Sequence, residues 1–183
     1  DPLSLVVMAY LVMAIVMAWL WALQRRVKNA SIGDVGWCMG LMAVVLWYTT
    51  QADSGIERIV LTAMLVVFYA GRLGRYILFE RVIGKPEDPR YQRLRKAWGD
   101  SESAKMFTYF QLQALAVAVF SVPFLVLLWN PKPPSSLIEI VGLLPVNGFW
   151  LKSPRGPILT RFWANLVSSL PKTPQRKAPK YRK

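Results

Sequence analysis

Residues three and four apart share one face of a helix, and the stretch from Tyr69 to Trp98, YAGRLGRYILFERVIGKPEDPRYQRLRKAW, sets Tyr69, Arg72, Tyr76 and Glu80 at such steps. Two phenols, a guanidinium and a carboxylate would then form one hydrogen-bonding face on a segment that leaves an apolar run for a charged loop. Ionisable side chains at that depth are costly unless they pair or line a cavity, which makes the face a candidate site. The competing reading is that the Arg residues snorkel to headgroups and the Tyr residues belong to the interfacial belt. A second acid, Asp34 in NASIGDVGW, has two accounts: an N-cap at the positive end of a helix dipole, or a buried carboxylate facing a cavity. Further on, Arg90, Arg93, Arg95 and Lys96 offer donors suited to the phosphates of a nucleotide, or lipid-facing charge of no further purpose.

The elements that must position these groups are membrane helices. Apolar and aromatic residues with Cys make up 54% of the 183 residues, Trp occurs eight times, and the apolar residues come in long blocks. One Cys and no His exclude disulfides, His-containing zinc sites and His-dependent triads. Cys38 reads as a small apolar residue within a span. A formal charge of +13 could indicate nucleic acid, but the bases cluster at the ends of apolar segments and in the tail, so anionic lipid headgroups are the expected partner.

Leu3 to Leu23 carries no charge and is long enough to cross a bilayer at roughly 20 residues; the absence of a basic flank before it argues against a secretory signal. The chain opens on Asp1 without Met, so its true N-terminus is expected to lie upstream. Further spans are expected at 35–50, 59–73, 107–129 and 137–150, the third continuing as a helix to about Val82 before Gly84 and Pro86 end it. Gln111 and Gln113, near the entrance of the fourth, can bond between helices or reach into a site. The expected fold is an all-α integral membrane bundle of about five helices over 1–150, followed by a basic, Pro-rich tail over 151–183.

Loop charges bear on the same count. Between Arg72 and Lys105 nine Lys and Arg face five acids, while the alternate loops hold only Arg58 and Lys132. Five spans with the N-terminus outside and the C-terminus in the cytoplasm satisfy the positive-inside rule, with a bacterial inner membrane as the expected location. From Lys152 to Lys183 there are nine bases, no acid and Pro at 154, 157, 171, 174 and 179, which rules out a regular helix through the last part. A polybasic anchor and an out-of-frame translation both account for such a tail.

NASIGDVGW, then Tyr69 and Arg72 as YxxR in a membrane helix, then GKPEDPRYQRLRKAWG, then the apolar helix entered through Phe107 to Gln113, resembles the N-terminal half of the steroid 5-alpha-reductase-like membrane proteins, in the branch called domain of unknown function 1295. The resemblance covers about Leu3 to Gly142, and EDPRY with its trailing LRKAWG is the most specific part. It implies an NADPH-dependent reductase of a carbon–carbon double bond conjugated to a ketone in a steroid-like or other lipidic substrate. Tyr69 matches the phenol that polarises the ketone, and Asp34 is the candidate for its carboxylate partner. A donor aimed at developing enolate charge in a dry site lowers the barrier, and a neighbouring acid keeps the phenol's proton available. Arg72, Arg90 and Tyr91 match positions that organise the cytoplasmic cofactor mouth, with Trp37 and Gln111 as substrate-side candidates.

Two stretches that hold most of the cofactor in such proteins, Gly-Glu-x-x-Ala-Asp-x-Gln-Leu and Arg-x-Ser-Arg-His-Pro-Asn-Tyr, are not in this sequence. A truncated or frame-disrupted member that binds NADPH poorly and reduces nothing by itself is therefore expected. Two other classes stay open: a membrane methyltransferase using S-adenosylmethionine, and a small non-enzymatic scaffold that associates through Gly33, Gly36 and Gly40, where Gly36 and Gly40 form GxxxG.

Overall fold

The computed structural model describes residues 1–130, and they form helices joined by short turns. α1 spans Pro2–Val27: Asp1 caps it by accepting from the Leu3 N–H at 3.1 Å, and Pro2 sits in the first turn, where a missing N–H costs nothing. Lys28 ends it in the left-handed conformation, and three residues later α2 runs Ile32–Thr49. A longer helical stretch follows, built from α3 (Ile56–Val66), a π-helical turn (Val67–Gly71), α4 (Arg72–Ile77) and a second π-helical turn (Leu78–Val82). A strap, 83–88, leads from Gly84 at φ 65° to α5, Pro89–Trp98; a 3₁₀ turn, Gly99–Ser101, then opens α6, Glu102–Leu128.

α1, α2 and α6 pack on one another, with α3 and α4 laid against α2. α1 turns a single stripe inward, Ala9, Met13, Met17, Leu20 and Gln24, at the three- and four-residue steps of a helix face. The facing stripe of α6 includes Met106, Phe110, Ala114, Val117, Ser121 and Leu125. Close approach rests on glycine in α2. A Cβ on Gly36 would strike Leu20, and one on Gly40 would strike Met13, so the GxxxG pair is consumed in seating α1 on α2. Deeper in the bundle Ser121 Oγ donates to the Ala118 carbonyl at 2.7 Å, which leaves the Tyr48 hydroxyl as the donor in the 3.1 Å bond between them.

The opposite faces carry large apolar side chains outward, among them Ile15 at 71% exposure, Trp19 at 64% and Val126 at 65%. Among the described residues three helices are long and apolar enough to cross a membrane: α1, α2 and the stretch Pro89–Leu128, whose apolar part is α6. An all-helical architecture with outward apolar faces is that of an integral membrane protein.

The expected first, second and fourth spans coincide with α1, α2 and α6, each beginning earlier than its apolar run. The third, 59–73, lies within the Ile56–Val82 stretch, which ends at Val82 as expected but is broken by the two π turns. The segment 137–150 and the tail lie outside the described residues. α5 is a further helix where a loop was expected, started by Asp88 as N-cap and Pro89 at its first position.

Candidate functional site

Every charged contact described below gathers at one end of the bundle, where α1 finishes, α2 starts and α6 starts. Asp34 stands in the first turn of α2. It is not the cap: Ser31 holds that position, without a side-chain cap bond, and the Asp34 carboxylate is engaged by distant parts of the chain. Gly33 brings it there, since a Cβ at that position would meet the Phe110 ring at 2.8 Å and Gln113 Oε1 at 3.1 Å. The α2 backbone thus lies flush on α6, and Gln113 Nε2 reaches Asp34 Oδ1 at 3.4 Å.

α5 delivers the stronger contacts. The Asp88 side chain accepts from the Arg90 N–H at 2.9 Å, which fixes the first turn of α5 and aims its next two side chains at α2. Tyr91 donates its hydroxyl to Asp34 Oδ1 at 2.7 Å, and Arg90 Nη2 donates to Asp34 Oδ2 at 3.1 Å. Tyr91 is buried and stands edge-on to Tyr109 of α6, with ring centroids 5.8 Å apart. Arg90 also donates from Nε to Asp88 Oδ1 at 3.1 Å and from Nη2 to Oδ2 at 3.2 Å. Arg81, from the second π turn, meets Asp88 Oδ2 at 3.0 Å. Asp34, Arg90, Asp88 and Arg81 therefore alternate in sign, and their formal charges cancel. Burial alone would raise the Asp88 pKa. Hydrogen bonds from the Arg90 side chain and backbone, with the charges of Arg90 and Arg81, outweigh it and hold the carboxyl below the ordinary carboxylate range.

A second knot closes the strap. Arg95 donates from Nε to Glu87 Oε2 and from Nη2 to Oε1, each at 3.0 Å, and from Nη2 to Gln24 Oε1 at 2.6 Å; its Nη1 pairs with Glu102. Glu87 Oε1 accepts from the Ala30 N–H at 2.8 Å, and Asn29 Nδ2 donates to the Arg81 carbonyl at 3.1 Å. Strap, α5 and the α1–α2 turn are thus tied into one unit.

The structure gathers Asp34, Arg90 and Tyr91 from the sequence candidates and distributes the others. Tyr69 is half-buried in the first π turn, which packs on α2. The phenol bonded to Asp34 is Tyr91 instead. Arg72, Tyr76 and Glu80 are exposed; Arg72 and Tyr76 keep i, i+4 spacing in α4, while Tyr69 and Glu80 lie in the π turns on either side of it, with their wider i→i+5 register. Gln111 donates to the Ala14 carbonyl at 3.3 Å and so serves the α1–α6 seam. Trp37 stands edge-on to Phe120 at 6.0 Å, nine residues further along α6 and so roughly 13 Å from Gln111 along the helix axis. Its indole N–H is buried without a hydrogen-bond partner among the described residues. Of the cations offered as phosphate ligands, Arg90 and Arg95 are committed to carboxylates, while Arg93 and Lys96 are exposed.

Asp88, Glu87 and Arg81 belong to this centre and were not among the sequence candidates, whereas Gln113, which the sequence allowed to reach into a site, contacts Asp34. The Asp88-Pro89 pair was the available signal, since an N-cap followed by Pro marks a helix start and fixes which residues share its first turn. Among the described residues no group of three His, Cys, Asp or Glu is arranged to hold a metal ion.

What the arrangement offers is a carboxylate pinned by a phenol and a guanidinium at the water-facing end of an apolar bundle, with a charge-balanced belt around it. Such a centre orients hydrogen bonds in a site shielded from bulk water.

No curated protein and no solved structure matches the chain. The family described as a protein of unknown function, DUF1295, matches residues 20–151, a range that contains Asp34, the strap, α5 and all of α6. The chain belongs to the DUF1295 family.

Proposed function

We propose that the chain is the substrate-side part of a membrane reductase that uses NADPH to reduce a carbon–carbon double bond conjugated to a ketone in a steroid-like or lipidic molecule. One observation carries the reading. The two motifs on which the resemblance to the steroid 5-alpha-reductase-like proteins rests, NASIGDVGW and EDPRY, close on each other through Asp34, Arg90 and Tyr91. In this reading Tyr69 donates to the ketone oxygen, where enolate charge develops as hydride reaches the β-carbon. Asp34, with Arg90 and Tyr91, organises the cytoplasmic mouth, and Trp37 offers an unused donor on the substrate side.

The residues present fit an anionic cofactor in one respect. Arg90 is charge-balanced by Asp34 and Asp88 and attracts no phosphate on its own, whereas Arg93 and Lys96 are exposed on the same α5; Arg72, also exposed, lies further from Asp34, where Gly71 and Gly74 pack on Met42 and Cys38 of α2. When bound, NADPH would supply the hydride. The two stretches expected to hold most of it are not among these 183 residues, so this sequence by itself is expected to bind it weakly and to turn nothing over. Five spans, with the N-terminus outside and the mouth in the cytoplasm of a bacterium, complete the reading.

The test is a thermal-shift titration of the purified chain in detergent with NADPH and, separately, S-adenosylmethionine. Stabilisation by NADPH, retained in Tyr69→Phe and lost when Arg72, Arg93 and Lys96 are changed together to Gln, supports the reductase. Stabilisation by S-adenosylmethionine alone would transfer the chain to the methyltransferases. No response to either would leave the non-enzymatic scaffold, which would have to associate through a surface other than Gly36 and Gly40, because those glycines face α1.

A further inference from the structure

The same end of the bundle has an outer surface that the centre around Asp34 does not use. Four of its acids are drawn inward, Asp34 and Asp88 taken by Arg90 and Arg81, and Glu87 and Glu102 by Arg95, while Glu80 of the second π turn is exposed. The bases left outside are not matched in number. Arg25, Arg26 and Lys28 at the end of α1, and Arg93 and Lys96 on α5, are all exposed, with Asp100 as the exposed acid of the adjoining 3₁₀ turn. The bond between Arg95 Nη2 and Gln24 Oε1, 2.6 Å, joins the end of α1 to α5, so the two groups of bases flank one seam.

The patch sits at the border of an apolar surface. Trp19, 64% exposed, lies less than two turns before Arg25 on α1. Arg25 itself is held over the Trp21 ring, 5.3 Å from its centroid. Trp21 in turn donates its indole N–H to the Ser103 carbonyl at 3.1 Å and meets Phe107 edge-on at 5.1 Å. The cation is therefore fixed at the level where an aromatic belt gives way to charge, which is the depth of phospholipid headgroups.

We propose that Arg25, Arg26, Lys28, Arg93 and Lys96 form a binding surface for anionic phospholipid headgroups, seated on the seam between α1, α5 and α6. Charge complementarity selects the occupant: each base near an anionic leaflet adds attraction, and the apolar flank of α1 receives the acyl chains. The inference shares Arg93 and Lys96 with the NADPH reading but does not rest on it, and its readout, lipid preference, is independent of the NADPH-induced thermal shift. Lipid held here also bears on α5, whose first turn carries Arg90 and Tyr91.

Native mass spectrometry of the full chain, released from detergent containing equal amounts of phosphatidylglycerol and phosphatidylcholine, tests it. The expected result is a preference for phosphatidylglycerol that falls about tenfold or more when Arg25, Arg26, Arg93 and Lys96 are all changed to Gln. The preference should persist when the three Arg residues become Lys and Lys96 becomes Arg, and when Lys172, Arg176, Lys177 and Lys180 of the tail are changed to Gln. No preference in the unaltered chain would overturn the proposal. So would a preference that survives the first variant, is lost in the charge-retaining variant, or disappears only with the tail bases.

Discussion

The Tyr91 hydroxyl donates to the Asp34 carboxylate at 2.7 Å across 57 positions of sequence, and the Arg90 guanidinium holds the other carboxylate oxygen. Two adjacent residues of α5 thereby fix one residue of α2 from two directions.

Tyr91→Phe keeps the ring and its contact with Tyr109 but leaves a carboxylate oxygen short of its best donor, at a cost of about 1–3 kcal/mol. Asp34→Asn should cost a similar amount, and the double variant less than the sum. Thermal or denaturant unfolding in detergent gives the coupling, which should be about 1 kcal/mol or more. Additive losses would mean that the two residues act independently.

Acid should loosen the strap before it unfolds the bundle. The folded Asp88 pKa lies below its unfolded one, so its contribution is complete above the ordinary carboxylate range and is lost as pH falls through the lower folded value. Hydrogen exchange of residues 83–98, followed from about pH 7 to about pH 3, should rise along this limb. In Asp88→Asn it should be raised already at neutral pH and change less with acid. A variant with the unaltered profile would remove Asp88 from the account.

Arg95→Met severs Glu87, Glu102 and Gln24 at once and leaves two carboxylates without their partner. Because Arg95 and Glu102 are partly exposed, water screens part of the loss, which should be about 2–3 kcal/mol. Adding Glu87→Gln to Arg95→Met should recover part of it, since a neutral amide tolerates the missing cation while its oxygen can still accept from the Ala30 N–H. Failure to recover any stability would mean that the Glu87 charge is indifferent to Arg95.

Gly33→Val forces a side chain into the Phe110 ring and should cost about 1–3 kcal/mol by overpacking. Phe110→Leu in the same chain should return part of that stability, although alone it destabilises. Independent, additive losses would show that α2 and α6 can separate at this point without consequence.

How much of this was legible follows from which forces the sequence exposes. Uninterrupted apolar runs mark where a chain must lie in hydrocarbon, so α1, α2 and α6 could be read directly. The start of α6 at Glu102 and of α2 at Ile32 could not, because polar residues continue a helix once it has emerged. α5 was read as loop because its composition is polar and charged, although Asp88-Pro89 and the spacing of Tyr91, Leu94 and Trp98 encode a helix with one inward face. Asp34, Arg90 and Tyr91 could each be picked out, but not that they meet. That depends on Gly33 and on the length of the strap, which no periodicity reveals. For Tyr69, Arg72, Tyr76 and Glu80, counting by threes and fours holds within α4, which carries Arg72 and Tyr76, but did not anticipate the π turns that hold Tyr69 and Glu80.

The two π turns in the Ile56–Val82 stretch have a meaning for how this chain tolerates changes in length. Each behaves as a residue inserted into an α-helix, so deleting Ala70 would allow the first to relax into regular helix and rotate everything after it by about 100°. Arg81 would then swing away from Asp88, and its carbonyl from Asn29. This stretch is thus one in which a single codon's loss would undo a contact three turns downstream.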